Sequence, residues 1–381
     1  MFPRSLLFFA LLLGVLVHPS SVRAQDSLYD ISGSDMSGPD ATGTIVQDGY
    51  TLTMGAGVAY LKPQDFDGAN VIIRNAGGVF QDRPKSAFTD GFPGLHLYLA
   101  AEAETGLEFR GLDDIRLVAR LNYSGGSDTD TYFQDVPAGY ALAAMSIDPE
   151  WYWLGTVGGV AGVSLRNTVS VDVDNIDLSL GIDARSDPWL LSGGRTLTPV
   201  YNAGLFVSSQ WYNASSRQEQ SGVDGEYSLL DENLRTWDMG PEFGVGLELE
   251  TPDGLAFSVR GEGALLLGLA HLSADQQLET SVLTSNTNRS PSFHVQQSRN
   301  DLFLSMLFRL ALGAEQPISE ALTAGLDFTA SYWTARPTID NPYRLDNGAG
   351  LLSAPGHNSG VTIGYGEAYE INAAFTLGYS F

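Results

Sequence analysis

The chain has 381 residues, with 20 Lys+Arg against 45 Asp+Glu, a formal charge of −25, 43 Gly and no Cys. That acid excess repels phosphate backbones and anionic lipid surfaces, which excludes a nucleic-acid or polybasic membrane-binding role. The lack of Cys excludes a disulfide framework, a thiolate metal site and a cysteine nucleophile, and 43% hydrophobic residues exclude bulk disorder.

Residues 1–24 read as a secretory signal. Arg4 supplies the positive start, Ser5 to Val17 is an apolar run, and Val22-Arg23-Ala24 is a small-x-small site that predicts cleavage between Ala24 and Gln25. The run is shorter than the ~20 residues of a transmembrane helix. Cleavage removes Arg4 and Arg23 and leaves 18 basic and 45 acidic residues, a charge of −27. No Cys follows the site, so a lipoprotein is not expected, and no later stretch approaches the length of an uncharged helical span.

From residue 50 onward the recurring pattern has period two, the signature of β-strands with two different faces. The alternation predicts strands near 50–62, 94–106, 114–124, 168–184, 196–212, 236–251, 255–272, 301–314, 322–335 and 368–381. Apolar faces include Leu52/Met54/Val58/Tyr60, Phe243/Val245/Leu247/Leu249, Leu302/Leu304/Met306/Phe308 and Tyr369/Ile371/Phe375/Leu377/Tyr379/Phe381. In the fourth strand the apolar phase is odd through Val169, Val171 and Val173 and even from Ile176 onward, which predicts a β-bulge at Asp174–Asn175.

Connections alternate between short ones (107–113, 185–195, 252–254, 315–321) and long polar ones (63–93, 125–167, 213–235, 273–300, 336–367). Short turns on one side and long loops on the other predict a transmembrane antiparallel up-and-down β-barrel, with periplasmic turns, extracellular loops and both termini in the periplasm. Ten strands are expected. Twelve result if Tyr140–Met145 and Trp151–Leu154 form another hairpin, and an inward-folded loop is the other option for that region. The domain reading is a signal at 1–24, a periplasmic extension at 25–49 and the barrel at 50–381, in the outer membrane of a Gram-negative bacterium.

Val173–Gly181, Leu197–Phe206, Gly240–Leu249 and Gly254–Gly268 look like successive strands of the Legionella-type pore-forming major outer-membrane protein family, and Ile115–Tyr123 resembles an earlier one. The resemblance spans about two-thirds of the mature chain and omits the loops and residues 25–49. It implies a porin-like outer-membrane protein with no catalytic residues and no cofactor.

The opposite face of these strands carries the charge. A charge on the lipid face costs on the order of 2–4 kcal/mol for Arg or Lys at mid-membrane, so Glu102, Glu104, Arg116, Arg120, Asp172, Asp177, Asp183, Glu248, Glu250, Arg260, Glu262, Arg309, Asp327 and Glu370 are assigned to the lumen, together with Asp174 and Glu242. Arg260 is expected to pair with Glu248 or Glu250, and Arg116 or Arg120 with Glu102 or Glu104. Unpaired carboxylates would favour cations and small polar solutes over anions. Alternatively, ion pairs and Leu266, Phe206 and Trp333 fill the interior, since ten strands lie between the eight that pack solid and the sixteen that leave a channel.

Tyr50, Tyr60, Tyr123, Trp211, Trp237, Tyr332, Tyr369, Tyr379 and Phe381 lie near strand ends on apolar faces, where rings meet lipid headgroups and lipopolysaccharide. Terminal Phe381 resembles the signature read by the barrel assembly machinery. A structural or adhesive barrel whose long loops bind a host surface or phage is the alternative function. His271-Leu-Ser273 resembles the His-x-Ser of outer-membrane lipid hydrolases, although the rest of that pattern is absent. Asp128, Asp130 and Asp135 share a loop but lack the Gly and distal Glu of a calcium loop, so no metal is expected.

Overall fold

A backbone that crosses hydrocarbon must satisfy all its polar groups internally, and a chain of alternating residues can do so only as a closed sheet. The computed structural model describes residues 49–62, 71–75, 80–83, 91–105, 107, 112, 114–135, 140–145, 151–154, 164–220, 227–279, 292–340 and 362–381. The expected signal, its expected Ala24/Gln25 junction and the expected N-terminal extension up to residue 48 lie outside them. Among the described residues are the strands β1 (Tyr50–Lys62), β2 (Val71–Asn75), β3 (Phe80–Arg83), β4 (Phe92–Glu104), β5 (Asp114–Asp135), β6 (Tyr140–Met145), β7 (Trp151–Leu154), β8 (Ser164–Arg185), β9 (Trp189–Leu190), β10 (Thr196–Gln220), β11 (Tyr227–Glu250), β12 (Ala256–Glu279), β13 (Ser292–Pro317), β14 (Leu322–Asp340) and β15 (Thr362–Ser380).

Ten strands close a ring in the order β1-β4-β5-β8-β10-β11-β12-β13-β14-β15, with β15 returning to β1, and every neighbouring pair is antiparallel. The protein is therefore a transmembrane up-and-down β-barrel of ten strands. β6 and β7, the hairpin that would have raised the count to twelve, pair instead with β2 and β3 in a separate four-stranded sheet. At six and four residues they are shorter than the ~9–11 a tilted crossing needs.

The short turns and the C-terminus share one rim. Thr251 and Leu255 close the turn at 252–254 with an N–H···O bond of 3.0 Å, and Gly254 supplies the left-handed φ of 83° it requires. The Phe381 N–H donates to the Tyr50 carbonyl at 2.9 Å, tying the C-terminal end to β1. Gly57 permits a second close approach, since a Cβ there would stand 1.9 Å from the Ala373 carbonyl oxygen of β15.

Outward-facing Met54, Val58, Phe243, Val245, Leu265, Leu302, Leu304, Leu326 and Phe375 are exposed and form an apolar belt. On β15 the belt runs from Tyr369 to Tyr379, both exposed. Ten residue steps at ~3.3 Å, tilted by ~40°, give about 25 Å, the height of a membrane belt. Tyr332 lies tilted against Tyr369 with ring centroids 5.1 Å apart at one edge, and Tyr379 meets Phe381 at 4.8 Å at the other.

Above the belt the strands continue and their polarity inverts. On β8, odd residues face inward along the whole strand, with Val169, Val171 and Val173 buried beside Asn175, Asp177 and Asp183 below them. The registers to β5 and β10 run unbroken through Asp174 and Asn175, so the expected bulge is not there. The apolar phase switches because the strand leaves lipid: outside the membrane the apolar face turns inward and the polar face meets water. Asp172 accordingly points outward and is exposed, not lumenal as expected, and Asp174 accepts a 2.6 Å hydrogen bond from the outward-facing Tyr123 hydroxyl. The register shift that does occur lies in β14, between Trp333 and Arg336.

Candidate functional site

Inside the belt, the alternation delivers charged residues from β4, β5, β8, β11, β12 and β13 to one another. At the turn side, Arg116 reaches Asp114 at 2.9 Å, Glu102 at 3.4 Å and Glu104 at 3.5 Å. Arg185 joins Asp114 (3.2 Å) to Glu248 (3.0 Å), and Arg260 joins Glu248 to Asp183, both at 2.8 Å. Arg120 links Asp183 to Glu262. Arg309, buried, meets Glu262, Asp177 and Glu242, each at 3.4 Å. The pairs form one continuous network of five guanidiniums and eight carboxylates. Burial strengthens each attraction and raises the cost of losing any partner.

Within this network lies a cavity of about 120 Å³. Its walls carry six carboxylates, from Glu102, Asp177, Glu262, Glu315, Asp327 and Glu370, against the guanidiniums of Arg120, Arg260 and Arg309. Among the described residues acidic side chains therefore outnumber basic ones around this cavity.

An apolar layer, contributed by β10, β12, β13, β14 and β15, lies over the charges. Phe206, Leu266, Leu307 and Trp333 pack together with Ala264 and Ala368, and Phe206 and Leu266 have no exposed surface. The Phe206 ring covers the Arg309 guanidinium, 5.2 Å from its centroid. Over this layer the β14 register shift lets both Trp333 and Arg336 turn inward. Arg336 lies over the Trp333 ring at 4.2 Å and donates to Gln210 and Asn175, both at 2.9 Å.

Of the residues assigned to the lumen, Glu102, Arg116, Arg120, Asp177, Asp183, Glu248, Arg260, Glu262, Arg309, Asp327 and Glu370 stand inside, and Asp172 does not. Glu104 and Glu250 are exposed at the turn-side rim. Arg260 chose Glu248, not Glu250, and Arg120 turned away from Glu102 and Glu104 toward Asp183 and Glu262. Arg185, Arg336, Asp114, Glu315 and the buried, inward-facing Asp238 of β11 were missed. Arg185 and Arg336 each lie one residue beyond an expected strand end; one more step brings Arg185 inward, but Arg336 faces the lumen only because the β14 register shift reverses its parity.

Above the membrane, six strands, β5, β8, β10, β11, β12 and β13, share a second cavity of about 780 Å³. Its wall includes Glu232, which is 3% exposed and whose Oε2 has no hydrogen-bond partner. Burial, with Asp231 adding to it, pushes that carboxyl up to about 8. On the outer surface, Gln296 and then His294 hold Asp275 below the usual carboxylate range, with His294 Nε2 2.7 Å away. His271 Nδ1 is 2.6 Å from Asn300 Oδ1, on the outward face it shares with Ser273. Among the described residues no group of three His, Cys, Asp or Glu side chains could hold a metal.

No family model and no curated protein matches the chain. Among solved structures it is similar to the outer membrane protease OmpT of Escherichia coli, at 10% identity and a TM-score of 0.40, covering 88% of this chain and 98% of that one. It is also similar to the translocator domain of the autotransporter NalP of Neisseria meningitidis, at 14% identity and a TM-score of 0.30 over 88% of each chain. The toluene transporter TodX of Pseudomonas putida aligns over 87% of this chain and 90% of that one, at 11% identity and a TM-score of 0.24.

Proposed function

We propose that the chain is a porin-like barrel of a Gram-negative outer membrane, passing small cations and polar solutes at a low rate through a narrow acidic lumen. The observation that carries this reading is the surplus of six carboxylates over three guanidiniums around the inner cavity. Buried negative charge in excess of its partners is costly and is relieved by an entering cation, so the interior favours cations and opposes anions. The resemblance to the Legionella-type pore-forming family supports the same role. The Phe206–Leu266–Trp333 layer acts as an apolar constriction, a kind of barrier that gates by excluding water, and keeps conductance small. On this reading outer-membrane lipid and lipopolysaccharide surround the belt, and Phe381 addresses the chain to the assembly machinery.

A second reading is favoured by the complete burial of Phe206 and Leu266. In it the barrel is filled and serves as an anchor whose extracellular part binds a host surface or phage. Planar-bilayer recordings of the refolded full-length chain separate the two. Small cation-preferring steps that grow in Leu266→Ala support the pore; anion preference, or silence in both wild type and Leu266→Ala, overturns it in favour of the anchor.

A further inference from the structure

The cavity above the membrane has its own chemistry. Each of its six strands contributes a three-residue step centred on an inward position: Asp128, Val171, Ala214, Glu232, Ala274 and Gln297. These central positions hold two carboxylates, one amide and three small apolar side chains, and among the described residues no Lys or Arg lines the cavity. The Phe206–Leu266–Trp333 layer and Arg336 stand between it and the acidic lumen.

Glu232 is the unusual member. A carboxylate oxygen buried without a partner costs a full desolvation penalty, and the neighbouring inward residues on its own strand, Leu230 and Leu234, are apolar and buried. A charged donor entering the cavity would remove that penalty with a charge-assisted hydrogen bond. Val171, Ala214 and Ala274 offer apolar contact to the rest of such a molecule. A neutral sugar could donate to Glu232 but brings no positive charge to offset the two carboxylates, and an anion would meet both.

We infer that this cavity binds a small organic cation, a primary amine or guanidine on a short apolar body, with Glu232 as the buried anchor. The site is independent of whether the lumen conducts. Because the Glu232 carboxyl holds its proton up to about pH 8, an ammonium that binds near pH 7 displaces that proton.

Benzylamine, benzyl alcohol and benzoate share one apolar body and differ in charge, so titrating each into the refolded full-length chain by calorimetry tests the site. Benzylamine is expected to bind at least about tenfold tighter than benzyl alcohol, with proton release seen as a heat that changes between two buffers at pH 7, and benzoate not at all. Glu232→Gln is expected to weaken benzylamine about tenfold and abolish the proton release. Ala214→Phe fills the cavity and is expected to remove binding while the chain still migrates as a folded barrel on unboiled gels. Equal affinity for amine and alcohol, no benzylamine binding, unchanged binding in Glu232→Gln, or binding that survives Ala214→Phe would each overturn the assignment.

Discussion

Asn175 Nδ2 donates to Glu370 Oε2 at 3.0 Å, a buried hydrogen bond between β8 and β15, strands separated in the wall by β1, β4 and β5. Two side chains therefore span the lumen, and on the pore reading proposed above any solute must share their space. Glu370 also accepts from Asn372 at 2.7 Å, so its carboxylate is at once a structural tie and part of the acid surplus. Glu370→Gln removes the charge with little change of shape. The reversal potential in a salt gradient is expected to move toward zero, by more than in Glu104→Gln, whose carboxylate sits exposed at the rim. An equal shift in both variants would mean that selectivity is set at the mouth.

Arg309 neutralises three carboxylates at once, Asp177, Glu242 and Glu262, with all four side chains buried. Arg309→Ala strands them and is expected to destabilise the barrel by about 3–5 kcal/mol. Arg217, paired with Glu219 on the exposed surface, provides the contrast: Arg217→Ala is expected to cost about 0–1 kcal/mol. Urea unfolding of both variants in detergent measures the difference, and comparable midpoints would show that the network does not hold the wall together.

The barrel was legible because a lipid-facing strand writes its environment into alternate residues, as Phe375, Leu377 and Tyr379 do. Phe206, Leu266 and Trp333 were legible as interior filling for the same reason. The fourth strand was misread because the same alternation has two solutions: Val169, Val171 and Val173 face inward above the membrane, while Ile176, Leu178 and Leu180 face lipid within it. Parity alone assigns a face only once the medium is known, and the sequence does not mark the membrane surface. Asp172 went to the wrong side for that reason. Glu232 escaped notice because 213–235 reads as a long polar loop, and an acid between Leu230 and Leu234 acquires an inward face only because β11 extends through it.

Glu232 also makes stability depend on pH. Its folded carboxyl titrates at about 8, against 4.5 for an unperturbed Glu. Between those values the folded chain binds more protons than the unfolded one. Its contribution is therefore complete below pH 4.5 and is lost as pH rises toward 8, by up to about 1.4 kcal/mol per pH unit. Glu232→Gln cannot ionise and is expected to flatten the decline in unfolding free energy between pH 5 and 8. An identical slope in wild type and variant would show that this carboxyl is not the group responsible.

The inversion of polarity along β11 gives a test of where the membrane ends. Val245 lies in the belt, 63% exposed, with an apolar outward neighbour at Phe243, whereas Asn233 faces outward twelve residues nearer the loop end, beside Asp231 and Arg235 on the same face. Arg at a lipid-facing midplane position costs about 2–4 kcal/mol, and almost nothing once the side chain meets water. Val245→Arg is therefore expected to reduce the yield of refolded barrel in phospholipid vesicles and lower its urea midpoint, while Asn233→Arg leaves both close to wild type. The same pair in a detergent micelle, which deforms around a charge more readily than a bilayer, is expected to differ less. Equal losses in vesicles would place Asn233 within hydrocarbon and return the upper half of β8, with Asp172, to the membrane.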